Sequence, residues 1–130
     1  MSKRGSGSSA RAGGGSYLSG KKAVADMNIT GSAKQIAYAQ DIMKRPFDWI
    51  ERNIALENSR IEKTSSEITK DTYRERISDY KDFGKYLSDN QYKPMAKSGK
   101  EIKASFIIDY QGRYDGNDLF NLWERTVKKK

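Results

Sequence analysis

The first 22 residues limit how much of this chain can enter a folded core. This segment, MSKRGSGSSARAGGGSYLSGKK, contains six glycines and six serines, and Tyr17 and Leu18 stand out in it as large apolar residues. A segment of this composition buries too little apolar surface to offset the entropy that ordering costs. We therefore predict a disordered basic arm over residues 1–26, followed by a single folded domain over residues 27–130.

The net charge of +8 is concentrated at the two ends of the chain. The first 22 residues contain five basic and no acidic residues, and residues 128–130 add three lysines, whereas residues 23–127 contain 17 basic and 17 acidic residues. Basic ends on a neutral body favour an anionic partner such as a nucleic acid or an acidic protein. The candidate binding residues at the ends are Lys3, Arg4, Arg11, Lys21, Lys22, Lys128, Lys129 and Lys130.

Apolar residues recur at helical spacing through much of the chain after Met27, where we expect order to begin. Ser32 and Gln35 have the spacing of a capping box, which predicts the start of a helix. Pro46 is expected to end or kink this helix, and it is well suited to the first position of a second one. The second helix is expected to run to about Lys63.

The second half of the chain contains further helix signals. A third amphipathic helix is predicted to start at Ser65 or Ser66, because either hydroxyl can cap it. Residues 88–100 are rich in turn-forming residues, which indicates a connector. A last helix is predicted after the glycine-containing loop that follows Tyr110, with Asn117 or Asp118 as its cap.

The segment from Ile102 to Ile108 fits two structures. Its consecutive residues Phe106, Ile107 and Ile108 fit a buried strand, whereas the spacing of Ile102, Phe106 and Tyr110 fits a helix equally well. The predicted fold class is therefore mostly α, with three to five helices. A short strand or hairpin near residues 102–114 stays open as an alternative.

The sequence contains neither His nor Cys, which excludes thiolate nucleophiles, imidazole bases and the common zinc sites. Glu101 and Lys103, with Asp89 upstream, have the residue types of a metal-dependent nuclease, in which carboxylates hold Mg²⁺ and a lysine stabilises charge. In a chain with 32% charged residues, however, a solvated charged face explains this pattern better. We predict a protein without enzymatic activity, metal or cofactor.

Two aromatic–basic pairs lie in predicted connector or loop regions. Tyr92–Lys93 and Arg113–Tyr114 could stack on nucleobases or fill a pocket of a partner, and ordinary packing is the alternative. No stretch approaches the ~18 apolar residues that a membrane span needs, and residues 1–16 lack the apolar region of a secretory signal. The predicted location is the cytoplasm.

Residues 30–42, TGSAKQIAYAQDI, resemble the opening helix of small prophage-encoded proteins of Gram-positive bacteria. Residues 104–109, ASFIID, followed by Arg113, resemble a later segment of such proteins. The resemblance covers a minor part of the chain. It implies a prophage source and a bacterial host cell, and it does not imply an activity.

A second resemblance concerns a basic arm followed by residues 34–35 (KQ), 38–40 (YAQ) and 80–86 (YKDFGKY). This order is similar to that of broad-spectrum phage anti-CRISPR proteins, which inhibit the type II effector nuclease. The longer, strand-rich C-terminal part of that family has no match here after Tyr86. The resemblance implies inhibition without catalysis, through the arm and the surface of residues 80–86. The charge pattern alone leaves a sequence-independent nucleic-acid-binding accessory protein as the alternative.

Overall fold

Helices dominate the part of the chain that the computed structural model describes, residues 17–128. They are α1 (Ser19–Ala23), α2 (Ala33–Lys63), α3 (Glu67–Tyr86), α4 (Lys93–Ser98), α5 (Ala104–Tyr110) and α6 (Gly116–Trp123). Short 3₁₀ segments cover Val24–Asp26 and Gln111–Arg113, and π-helical segments cover Leu87–Tyr92 and Glu124–Lys128. Two short strands, β1 (Ile29–Thr30) and β2 (Ile102–Lys103), form a parallel pair. The predicted mainly helical fold with a short strand near residue 102 is confirmed.

Helix α2 begins where the capping box predicts and then continues through its proline. The amide of Gln35 donates to Ser32 Oγ, and the amide of Ser32 donates to the Gln35 side chain. The prediction that Pro46 separates two helices is wrong, because α2 is continuous from residue 33 to residue 63. A proline in a helix removes one N–H donor, but Pro46 and its neighbour Phe47 are fully buried, so core packing offsets that loss. The proline removes the helical donor to the carbonyl of Ile42. At the next residue, the carbonyl of Met43 accepts a hydrogen bond from the Tyr92 hydroxyl at 2.7 Å.

Helices α2 and α3 form an antiparallel hairpin. The break predicted at residues 64–66 is confirmed, and Ser66 is the N-cap, accepting a hydrogen bond from the amide of Thr69 at 3.2 Å. Gly84 lies inside α3 and does not end it. A Cβ at this position would collide with the backbone carbonyl of Tyr17, so the glycine permits the N-terminal segment to lie directly on α3.

The N-terminal segment of residues 17–26 belongs to the core, contrary to the predicted arm boundary. Val24 is completely buried, and the amide of Gly20 donates to Ser88 Oγ at 2.8 Å. Order therefore does not begin at Met27. Two glycines explain why so few apolar residues suffice here, since Gly20 and Gly84 let the backbone approach its neighbours closely. The remainder of the predicted arm, residues 1–16, lies outside the described residues.

The parallel pair joins two distant parts of the chain in the register Ile29 to Ile102 and Thr30 to Lys103. The strand is limited to these two residues, because the chain turns into α5 at Ala104. Ala104 and Ile107 are buried three positions apart, which is the helical period and not the alternation of a strand. The helical alternative is therefore the observed one for residues 104–110, and no hairpin forms within residues 102–114.

Two local predictions in the second half are wrong. Residues 88–100 are not an irregular connector, because a π-helical segment and α4 occupy most of them before Gly99 ends α4 in a left-handed conformation. The cap of α6 is Asp115, and not Asn117 or Asp118 as predicted. Asp115 accepts a hydrogen bond from the amide of Asp118, whose carboxylate accepts one from the amide of Asp115 in return. This reciprocal pair is itself a capping box.

Aromatic side chains from α2, α3 and α6 meet in the centre of the fold. The ring of Trp49 packs edge-on against Tyr80 at 5.4 Å, and Phe120 contacts both rings. Phe83 and Trp123 extend the cluster at 5.7 Å. Aromatic pairs of this geometry stabilise a core beyond the area that they bury. None of the helices in residues 17–128 combines the length and the apolar character that crossing a bilayer requires.

Candidate partner-binding surface

One side of the molecule exposes large apolar side chains. Phe106 and Tyr110, four residues apart on α5, are 59% and 57% exposed, and their rings are in tilted contact with 4.5 Å between centroids. Tyr114, just before α6, and Leu122, on α6, are about half exposed. We call these four residues the aromatic face. Exposed apolar side chains grouped in this way mark interaction sites more often than isolated ones do.

Two arginine side chains lie beside the aromatic face. The guanidinium of Arg113 lies over the ring of Tyr110, 5.9 Å from its centroid, as in a cation–π pair. A groove beside it is lined by Arg113, Tyr114, Leu122, Arg125 and Lys128. Within residues 17–128, neither Arg113 nor Arg125 forms an ion pair with a carboxylate. Both guanidinium groups are therefore free to bind an anionic group of a partner.

A second cleft continues from Arg113 along α2. It is lined by Trp49, Arg45 and Arg52, among others. Taken together, the groove and the cleft carry charges of both signs: Arg45, Arg52, Arg113, Arg125 and Lys128 with Asp48, Asp115, Asp118 and Glu124. A nearly balanced set of charges complements a protein surface better than a chain of phosphates.

The structure brings some of the predicted binding residues together and separates others. Arg113 and Tyr114 line the groove with Lys128, as the sequence patterns favoured. Lys128 is also held by Asp79 at 2.8 Å, and this hydrogen bond raises the pKa of its ammonium group. Lys22 is exposed on α1. Lys3, Arg4, Arg11, Lys129 and Lys130 lie outside the described residues.

Tyr92 is buried and does not lie on the surface, which corrects the prediction from the Tyr92–Lys93 pair. Its side chain is 3% exposed, and its hydroxyl accepts a hydrogen bond from Gln111 while donating to Met43. Burial raises the pKa of this hydroxyl to about 12. Lys93 is exposed, but its ammonium bonds to Asp89 at 2.9 Å, one turn away on the preceding segment. Tyr92 is thus a core residue beneath an exposed ion pair.

Lys21 is also engaged within the fold. Its ammonium lies 2.6 Å from a carboxylate oxygen of Asp48 and 3.7 Å from one of Glu51. The hydrogen bond to Asp48 raises the pKa of Lys21. This lysine fixes α1 on α2, so it contributes less to an anionic partner than the sequence indicated.

Sequence reasoning missed Phe106, Tyr110, Leu122 and Arg125 as surface residues. The spacing of Phe106 and Tyr110 did indicate an exposed position, since they are four residues apart and opposite the buried positions of a helix. This indication could not be used while the choice between strand and helix for this segment stayed open. Nothing in the sequence around Arg125 distinguishes it from the other exposed arginines.

Of the residues of the nuclease pattern, Glu101 and Lys103 lie at β2, whereas Asp89 lies in the π-helical segment after α3. A carboxylate oxygen of Glu101 accepts a hydrogen bond from the Thr30 hydroxyl at 2.8 Å, which supports the junction between the two strands. Asp89 is paired with Lys93, and Lys103 lies on β2. Among the described residues, no three carboxylates are grouped so that they could hold a metal ion.

Comparison with known proteins finds no relative of this chain: no protein-family model, no curated protein and no solved structure matches it. The resemblances to prophage proteins and to anti-CRISPR proteins therefore stay predictions. The function has to be argued from the surface itself.

Proposed function

We propose that this chain is a non-enzymatic inhibitor of phage or prophage origin that binds a bacterial nucleoprotein. Its most concrete target is the RNA-loaded effector nuclease of a type II CRISPR system. The body docks on the protein component through the aromatic face, and the basic N-terminal arm engages nucleic acid or an acidic groove. The observation that carries the proposal is the aromatic face, flanked by Arg113 and Arg125, on a body whose charges balance.

The composition of the aromatic face supports a protein partner. Tyrosine, phenylalanine and arginine are enriched where protein interfaces concentrate their binding energy. Tyr110 and Tyr114 offer large, rigid rings at low cost in side-chain entropy, and Arg113 is already held over one of them. A dedicated DNA-binding domain would instead carry a basic patch on the fold itself.

The two basic ends support a nucleic-acid component in the same target. Lys3, Arg4 and Arg11 precede Tyr17, whose backbone carbonyl is held by Ser88 Oγ at 3.5 Å. The ring of Tyr17 additionally lies under the ammonium of Lys81 at 5.6 Å. An arm that starts at a fixed point on the body can order on a bound partner and extend its reach.

The test is inhibition of target-DNA cleavage by a guide-loaded type II effector nuclease. Tyr110→Ala should weaken inhibition about tenfold or more, which is the usual effect of truncating an interface anchor. Ile68→Ala is the matched control, because Ile68 is 83% exposed at the start of α3, away from the aromatic face. Inhibition that survives Tyr110→Ala, or that is lost equally in Ile68→Ala, contradicts docking through the aromatic face. A wild-type chain that leaves cleavage unaffected contradicts the target.

A nucleic-acid-binding accessory protein is the second candidate, favoured by the exposed rings that lie beside unpaired arginines. If the arm binds duplex or single strands by itself, Lys3, Arg4, Arg11 and Lys22 are the charges available, since Lys21 is bound to Asp48. Four phosphate contacts predict a log–log salt slope of about −3 to −4. Fluorescence anisotropy of labelled DNA and RNA, with the full chain and with residues 1–16 deleted, measures this slope. No binding near physiological salt excludes this candidate.

A further inference from the structure

An apolar cavity of about 320 Å³ opens beside the aromatic face. The end of α3, α6 and the two π-helical segments line it, and its walls include Phe83, Leu87, Trp123 and Val127. Tyr110, Tyr114 and Leu122 form its exposed rim. This volume is at the lower end of the range for small-molecule pockets, and it is large enough for one aromatic side chain.

The cavity wall contains a polar group without a partner. Trp123 is 7% exposed, and in the part of the chain that the structure describes its indole Nε1 makes no hydrogen bond. A buried donor that stays unpaired costs about 1 to 3 kcal/mol, so native proteins rarely retain one without a reason. The nitrogen itself is closed to solvent, so an occupant of the cavity packs against the Trp123 ring and does not reach this nitrogen.

Two arginines without a carboxylate partner in the described part of the chain adjoin the mouth of the cavity, in a groove that Asp118 and Glu124 also line. The groove that contains Arg113 and Arg125 shares Tyr114, Leu119 and Leu122 with the cavity wall. Because neither arginine has a carboxylate partner among the described residues, the two guanidinium groups complement acidic side chains on either side of an apolar anchor.

We infer that the cavity binds an aromatic side chain from an acidic peptide segment. The ring enters the cavity and packs against the Trp123 indole, and flanking carboxylates pair with Arg113 and Arg125. The inference rests on the proposed function in one respect: the acidic segment belongs to the protein component of the proposed target. The binding site itself is a property of this chain alone.

The test uses the full chain labelled with ¹⁵N and three capped tripeptides. Acetyl-Glu-Phe-Glu-amide is the probe, acetyl-Glu-Ala-Glu-amide lacks the anchor, and acetyl-Lys-Phe-Lys-amide reverses the charges. The chain has two tryptophans, so its NMR spectrum contains two indole N–H signals, with Trp49 as the internal control. The Glu-Phe-Glu peptide should shift the Trp123 signal saturably. The alanine peptide should bind at least about tenfold more weakly, because it loses the buried ring.

Two variants check the geometry. Val127→Phe places a ring in the cavity and should abolish the shift, while a well-dispersed spectrum shows that the fold is intact. Arg125→Glu leaves one positive and one negative charge beside the cavity, so it should remove most of the preference for the acidic over the basic peptide. A Trp123 signal that does not move up to the solubility limit of the probe, or that moves equally with all three peptides, overturns the inference. A shift of the Trp123 signal on addition of single-stranded DNA in place of the peptide also overturns the inference.

The outcome can be separated from that of the proposed function. If Glu-Phe-Glu shifts Trp123 while the chain leaves the effector nuclease unaffected, the cavity assignment stands and the proposed target is wrong. If the chain inhibits the nuclease but no peptide reaches Trp123, the target stands and the cavity assignment is overturned.

Discussion

Removing one buried hydroxyl tests how much the hydrogen bonds of Tyr92 to α2 and to Gln111 stabilise the fold. Tyr92→Phe deletes the donor to the Met43 carbonyl at 2.7 Å and the acceptor for Gln111 at 2.9 Å, while the ring that packs on Phe47 stays. Because both former partners lie in or near the core, we expect the free energy of unfolding at neutral pH to fall by about 1 to 3 kcal/mol.

The same hydroxyl predicts how this difference changes with pH. Burial raises the pKa of Tyr92 from 10.0 to about 12, so above pH 10 the unfolded chain loses this proton while the folded chain keeps it. The stabilisation is thus complete below pH 10 and is lost as the pH rises toward 12. Over those two units the wild type should lose about 2 to 3 kcal/mol that the phenylalanine variant keeps. The gap between the two proteins should therefore close in alkali.

Urea unfolding followed by circular dichroism at a series of pH values measures both effects. Tyr17 and Tyr80, whose pKa values burial also raises, are present in both proteins and cancel in the difference. Tyr114→Phe is the matched control, since its exposed ring should respond little to the change. A gap between wild type and Tyr92→Phe that stays constant from pH 10 upward would refute the role assigned to this hydroxyl.

Four further substitutions test a close contact of the backbone, a buried ion pair and the cap of α3. Gly20→Ala should destabilise the fold by about 1 to 3 kcal/mol in urea unfolding, because its Cβ would lie 2.7 Å from the ring of Phe47; wild-type stability would contradict the close approach. Glu57→Gln should cost about 1 to 3 kcal/mol, since this buried carboxylate, 2% exposed, binds one arginine at 2.8 Å and faces a second at 3.8 Å. A thermal scan that shows no loss would mean that the arginines find other partners. Ser66→Ala should cost about 1 kcal/mol and Ser65→Ala almost nothing, so equal effects would argue against Ser66 as the cap of α3.

Local patterns predicted the helix starts whose signals lie within a few residues. The capping box of Ser32 and Gln35 and the break before α3 are examples, because each depends on contacts between near neighbours. Pro46 was misjudged because its cost is local, whereas the packing that offsets it comes from side chains far along the chain. A short stretch of sequence shows the cost of the proline but not the distant side chains that pack against it.

The same limit explains the outcome for the candidate site. The Arg113–Tyr114 pair could be found, because adjacent residues in a loop are adjacent on the surface. Tyr92 looked similar in sequence and is buried, since only the folded chain places it under Met43. The cavity beside Trp123 could not be predicted, because helical elements from separate parts of the chain form its walls.

The contact between Gly20 and Ser88 joins residues 68 positions apart. During synthesis, α1 leaves the ribosome long before the π-helical segment that covers it. The α2–α3 hairpin can form from contacts between neighbours in sequence, whereas α1 and the parallel strands must wait for their partners. The segment of residues 17–30 is thus made early and can pack only after residues 88 and 102 have been made, so a chain cut short before them lacks the partners of its own first elements.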